Sequence, residues 1–249
     1  GSNRADYVYD VSELRIRPPI MYPGKVMNAA VNFYTHACEG CTEEDLQART
    51  RERQENRGVP YLFLKPSRGA VIGSGEDIVM PYGRDRIEWE VEMAIVIGRA
   101  GKYVSAPRAY DHVFGYMVGM DISDRGGRPP GGYGSGSDWF VGKGHDTFAP
   151  LGPWIVPKEF YGNPMEILEQ VLEVDGEVMQ RAGPGDMIHS IFELIEYGTS
   201  IITMYPGDVL NNGTSGGTGN STAYTGGVRR FLQPVSYTHL RAHETRHDL

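Results

Sequence analysis

The residues with the most chemical promise in this chain are acids. In Ile87-Glu88-Trp89-Glu90-Val91-Glu92-Met93-Ala94-Ile95-Val96-Ile97-Gly98, apolar and acidic residues alternate before the run turns wholly apolar. On a strand, Ile87, Trp89, Val91, Met93 and Ile95 share one face, and Glu88, Glu90 and Glu92 share the other. Residues i and i+2 stand about 6.5–7 Å apart there, so the carboxylates of Glu90 and Glu92 can converge on one cation. A second apolar stretch, Val113 to Val118, delivers Asp121 at its end. Taken singly, the glutamates are equally a solvated strand face and Asp121 equally a turn residue. The apolar run beyond Glu92 sets the acids beside core and favours a site. No histidine or cysteine accompanies them, and an all-oxygen donor set selects Mg²⁺, with Mn²⁺ or Ca²⁺ as alternatives, over Zn²⁺.

The elements that must position these acids are mostly strands. Residues 1–24 are extended and Pro-rich, ending in the turn signal Tyr22-Pro23-Gly24. Lys25 to Phe33 is a short apolar run that suits a buried strand, and strand-like runs dominate from Tyr61 to about Val156. Further strands are expected at Val171–Val174, Glu177–Arg181 and Val209–Asn211, with Asp175-Gly176 as a tight hairpin turn. Two helices stand out. Thr42 as N-cap before Glu43-Glu44-Asp45 starts one that Gly58 stops after Arg57. It is polar on every face, so it predicts a solvated lid over about 36–58, held by pairs such as Asp45/Arg49. The other spans Met187 to Thr203 after an Asp186 cap. Two stretches are glycine-rich, Gly126 to Gly136 and Gly213 to Gly219, and the length of the first suggests a functional loop. The whole predicts one α+β domain, mostly β.

Composition narrows the partners. The 249 residues carry a net charge of −8, which opposes nucleic-acid binding because that requires a basic footprint. No run approaches the roughly 18 apolar residues of a membrane-spanning helix. Two cysteines, Cys38 and Cys41, make no disulfide framework, and a cytoplasmic location is the default expectation. Their Cys-X-X-Cys spacing lacks the strand and helix context of a thioredoxin-like redox unit and the second ligand pair of a structural zinc site. Gly1-Ser2 reads as a protease-cleavage scar, and residues 235–249 read as a non-native tail of translated adapter sequence. The histidines left as native candidates are His36, His112, His145 and His189.

Several motifs in order resemble the fumarylacetoacetate hydrolase family. They are Glu90-Val91-Glu92-Met93-Ala94-Ile95-Val96-Ile97-Gly98, Gly119-Met120-Asp121-Ile122-Ser123-Asp124-Arg125, and Gly142-Lys143-Gly144-His145-Asp146-Thr147-Phe148-Ala149-Pro150. Gly207-Asp208-Val209-Leu210 and Gly213-Thr214-Ser215-Gly216-Gly217 continue the match. The resemblance implies a mixed rolled-sheet fold of that type with a short helical lid. It implies a homodimer whose catalytic domain covers residues 25–234. It makes Glu90, Glu92 and Asp121 the metal ligands, His36, Glu39 and Lys143 the catalytic residues, and Arg125, Thr214 and Tyr34 the substrate contacts. The implied substrate is a small oxo acid of the acylpyruvate or β-dicarbonyl type, cleaved at a C–C bond. Oxaloacetate decarboxylation, oxo-dienoate isomerisation and a non-catalytic metal- or ligand-binding relic are the alternatives. Departures from the family pattern fall at Gly126 to Gly136, where a substrate-contacting glutamine often stands, and after Gln233-Pro234, where a final strand normally follows.

Overall fold

A computed structural model describes residues 8–128, 138–221, 229–233 and 240–244. Most of the Gly126–Gly136 stretch and most of the 235–249 tail lie outside the described residues. The strands are β1 (Val26–Ala29), β2 (Leu62–Lys65), β3 (Val71–Ile72), β4 (Ile87–Glu88), β5 (Val91–Ile97), β6 (Val113–Met120), β7 (Ser123–Asp124), β8 (Ala149–Pro157), β9 (Gln170–Val174), β10 (Glu177–Ala182), β11 (Val209–Asn211) and β12 (Leu240–Glu244). Helical turns are few: α1 (Tyr34–Ala37), α2 (Glu43–Glu55), α3 (Ala106–Ala109), α4 (Trp139–Lys143), α5 (Lys158–Tyr161), α6 (Pro164–Ile167) and α7 (Ile191–Ile201).

The main sheet is mixed and curled, in the order β2-β1-β11-β5-β6-β8-β3, with β1/β11 and β3/β8 parallel and the other pairs antiparallel. A three-stranded sheet, β10-β9-β12, and the pair β4-β7 complete it. The α+β, mostly β expectation holds. The Asp175-Gly176 hairpin forms as read, with positive φ at both residues (53° and 85°), the geometry of a two-residue turn that matches strand twist.

Strand β5 is buried on both faces, which removes the solvated-face alternative for the glutamates. Met93, Ile95 and Ile97 pack against Ile191, Leu194 and Ile195 of α7. Ala94 and Val96 pack on the other side with Met117, Leu151 and Val209. Upstream, Ile87, Trp89 and Val91 join Ile122, Phe148 and Leu172. The strand breaks between β4 and β5, where Trp89 Nε1 donates to Gly217 O at 3.0 Å. Across that break Asp121 N donates to Glu90 O at 2.9 Å, continuing the β5/β6 register of Val91 with Met120. Antiparallel pairing therefore brings the third acid beside the first two.

Four details differ from the reading of the sequence. The cap of α7 is Ser190, in a capping box with Glu193, while Asp186 instead accepts from Thr35 N (3.1 Å) and Thr35 Oγ1 (2.5 Å). A polar residue near a helix start can be claimed by tertiary contacts, and sequence cannot show which. Second, α2 begins at the Thr42 cap and has no buried residue, as a lid should, but no Asp45/Arg49 pair forms among the described residues. The Asp45 carboxylate accepts from Thr42 Oγ1 instead (2.9 Å). Third, Cys38 and Cys41 are joined by a disulfide across the α1/α2 corner. Fourth, Leu240–Glu244 of the expected tail pairs with β9, from Leu240 opposite Val174 to Glu244 opposite Gln170. No helix among the described residues is long and apolar enough to cross a membrane.

Candidate metal centre and active site

Glu90, Glu92 and Asp121 each offer a carboxylate oxygen within 4.8 Å of the others, and all three are buried. Oxygens on opposite sides of an ion held at 2.0–2.6 Å stand about 4–5 Å apart, so the span fits a hard divalent cation. Two glutamates come from β5 and the residue just before it, and Asp121 from the turn between β6 and β7.

Three buried or half-buried cations surround the acids. Lys143, the last residue of α4, donates from Nζ to Glu90 Oε2 (2.8 Å), Asp121 Oδ2 (2.7 Å) and Ser123 Oγ (2.7 Å). Lys65, at the end of β2, donates to Asp121 Oδ1 and to Ile122 O (2.9 Å). Arg125 bridges Glu88 and Glu90. Glu92 makes no ion pair with these groups among the described residues and accepts from Gly213 N at 2.9 Å.

The electrostatics follow from this arrangement. Burial raises the Glu92 carboxyl well above its ordinary range, and the charges of Asp121 and Glu90 add to the effect. Burial acts on Glu90 in the same direction, yet Lys143 and Arg125 outweigh it and hold that carboxyl below its usual range. Burial pulls Lys65 down despite Asp121, whereas Asp121 and Glu90 together lift Lys143. At formal charge, Glu88, Glu90, Glu92 and Asp121 exceed Lys65, Lys143 and Arg125 by one. A bound divalent cation would bring that formal sum to plus one, which would suit an anion.

The α1 turn lies over the glycine-rich segment. Glu39 Oε1 accepts from Gly217 N (3.1 Å) and Thr218 N (3.2 Å), and Oε2 accepts from Thr218 Oγ1 (3.0 Å). His36 Nδ1 lies 3.3 Å from Glu39 Oε2, an ion-pair distance set off the line of a hydrogen bond. Burial lowers the imidazole's proton affinity, but the Glu39 carboxylate outweighs it and the net shift is upward from 6.5. Glu90 and Arg125 lie within electrostatic reach of the same ring.

The structure thus brings together Glu90, Glu92, Asp121, Lys143 and Arg125, with His36 and Glu39 at the edge. Thr214 is buried beneath them, its hydroxyl donating to Val91 O (2.9 Å) and accepting from Gln180 Nε2 (2.7 Å). Tyr34 lines a separate cavity between α1 and α2. His145 pairs with Asp124 (3.2 Å), which also binds Arg84. Sequence reasoning missed Lys65, and the available signal was a lysine closing the apolar run Leu62-Phe63-Leu64. It also set Glu88 aside, although Glu88 anchors Arg125 and accepts from Asn220 N at 2.5 Å.

The family profile described as fumarylacetoacetate (FAA) hydrolase C-terminal matches residues 25–243. The mitochondrial oxaloacetate tautomerase FAHD2A of Bos taurus is 35% identical over 211 residues, covering 84% of this chain and 61% of that protein. The chain thus spans about three-fifths of the length of that relative. The 5-carboxymethyl-2-hydroxymuconate delta-isomerase of Mycobacterium smegmatis superposes with a TM-score of 0.68 at 35% identity, covering 85% of this chain and 75% of that one. A maleylpyruvate hydrolase of Sphingobium sp. SYK-6, solved with manganese(II) and pyruvate, superposes with a TM-score of 0.65 at 28% identity, covering 84% and 66%. The profile match, over most of the chain, and the shared curled sheet give one conclusion: this chain is a member of the fumarylacetoacetate hydrolase family.

Proposed function

We propose that this chain is a divalent-metal-dependent hydrolase that cleaves a C–C bond in a small oxo acid of the acylpyruvate or β-dicarbonyl type. The observation that carries the reading is the buried triad of Glu90, Glu92 and Asp121, with the Lys143 ammonium against two of its members. Those three acids would hold the cation, which we assign as Mg²⁺, with Mn²⁺ and Ca²⁺ also compatible with oxygen donors. The relative solved with manganese(II) and pyruvate supports a divalent ion beside an oxo acid. When bound, the cation supplies Lewis-acid polarisation of the substrate's oxo and carboxylate oxygens.

The chain's own residues do the rest. His36 takes a proton from water, and the carboxylate of Glu39 stabilises the imidazolium that forms. Glu39 is itself held by Gly217 and Thr218, which fixes the pair over the site. Lys143 and Arg125 counter the negative charge that develops on substrate oxygen. Thr214 acts by supporting the backbone of the glycine-rich turn, whose amides are the groups available to an anion. Tyr34 shapes the back of the lid.

A second reading uses the same site without hydrolysis. The tautomerase and isomerase names among the relatives support moving a proton on an oxo acid, work for which His36–Glu39 and Lys143 suffice. A decarboxylase or a binding relic completes the field. We further propose that the protein works as a homodimer in the cytoplasm.

An ultraviolet assay over an acylpyruvate panel plus oxaloacetate, with Mg²⁺ or with EDTA, separates these. Loss of an acylpyruvate chromophore that EDTA abolishes is the expected result. Turnover that survives full chelation would remove the metal's role. Keto–enol exchange without cleavage would favour the tautomerase reading, and metal binding without turnover would favour the relic.

A further inference from the structure

The chain's two cysteines, Cys38 and Cys41, close a disulfide around Glu39 and Gly40 at the corner between α1 and α2. Gly40 has a positive φ of 80°, and Cys41 N donates to Cys38 O at 3.0 Å, so the ring is a tight turn. Glu39, inside that ring, is the carboxylate that grips Gly217 and Thr218 and faces His36. Helix α2 leaves the same corner with no buried residue to hold it down.

Behind the corner lies a cavity of about 300 Å³ lined by Tyr34, Cys38, Arg49, Thr50, Arg53 and Asn56. Arg49 and Arg53 stand one turn apart on α2 and have no ion pair among the described residues, while Arg57, beyond the end of the helix, is bound to Glu193 at 2.8 Å. Glu52 is the acid of the lining, so the wall keeps an excess of positive charge. Cys38 shares this cavity with Arg49 and Arg53, and such positive charge stabilises a thiolate and concentrates an anionic thiol.

We propose that Cys38–Cys41 is a redox-modification site, reduced through this cavity by a small anionic thiol, and that its state sets how firmly the lid holds Glu39. The incoming thiolate attacks Cys38 Sγ. A bond forms between the two sulfurs, the Cys38–Cys41 bond breaks, and its electron pair leaves on Cys41, which takes a proton from solvent. A second thiolate attacks the thiol-derived sulfur and releases Cys38, which is protonated in turn. Two external thiols are oxidised to one disulfide, and the protein disulfide is reduced to two thiols. The bearing on turnover rests on the function proposed above; the redox chemistry and the lid motion do not.

The test uses the full chain oxidised with oxidised glutathione. Thiol titration should find no free thiol before reduction and two after it. Mercaptoethanesulfonate should reduce the protein about tenfold faster than cysteamine does, each rate scaled to a small reference disulfide. The double variant Arg49→Gln/Arg53→Gln should lose that preference. Trypsin should cut within residues 49–57 about tenfold faster in the reduced protein, and Cys38→Ser/Cys41→Ser should be cut at the reduced rate under both conditions. Two thiols that oxidised glutathione leaves untouched, reduction blind to thiol charge, or equal tryptic rates would each overturn the proposal. Absence of turnover on every oxo acid, with these results intact, would remove the proposed function and leave the redox site standing.

Discussion

The ammonium of Lys65, wholly buried, donates to one oxygen of Asp121 while a second lysine takes the other. Asp121 is thereby oriented before any cation arrives. Replacing Lys65 by Met keeps the volume but leaves Asp121 short of a partner in the interior. We expect a loss of about 3 kcal/mol in urea unfolding, the low end for a broken buried pair, because Lys143 remains. Mn²⁺ affinity, read by calorimetry, should fall about tenfold as the ligand loses its orienting partner. Unchanged affinity would show that Lys65 matters to folding alone.

Glu90 and Glu92 should respond differently to the same change. Glu90 is held ionised by Lys143 and Arg125, so Glu90→Gln takes one of two carboxylate partners from each cation, leaving Asp121 and Glu88, and should cost about 2–3 kcal/mol of stability. Glu92 holds its proton to a higher pH than usual in the absence of a cation, so Glu92→Gln should fold with nearly wild-type stability. It should nonetheless weaken divalent-ion binding by more than about tenfold. Equal destabilisation by the two variants would contradict the charge assignment.

The pH dependence of stability and of rate should both report His36. Its net shift is upward from 6.5, so the protonated ring is favoured in the folded state. The stability it contributes is fully present below pH 6.5 and is lost as pH rises through the higher folded value. Rate runs the other way if the neutral ring is the base: kcat/KM should climb across that window. Glu39→Gln removes the charge that raises the ring, so the inflection should move to lower pH as the rate falls. An inflection that ignores Glu39 would assign the titration to another group.

Ser190, rather than Asp186, caps α7. Ser190→Ala should cost about 1 kcal/mol in thermal or urea unfolding with no change in metal affinity. Asp186→Ala should act elsewhere, loosening Thr35 and with it the α1 turn, and limited proteolysis of the lid should detect it. Similar effects of the two on α7 would restore the original assignment of the cap.

Much of this protein was legible in its residues. Alternation and apolar runs located the strands, Thr42 and the acids after it located α2, and Asp175-Gly176 located its hairpin, because each is a local preference. The spacing of Glu90 and Glu92 together with the oxygen-only donor set pointed to a hard cation for the same reason. What lay beyond reach was decided across long separations. Lys65 reaches Asp121 from 56 residues away, and Glu39 reaches Thr218 from 179. Glu88 looked spare until Arg125 folded onto it from 37 residues away. Local sequence determines which groups are present and how short stretches bend. Only the curled sheet decides which buried charge faces which, because desolvation makes every such pairing a property of the whole packed interior.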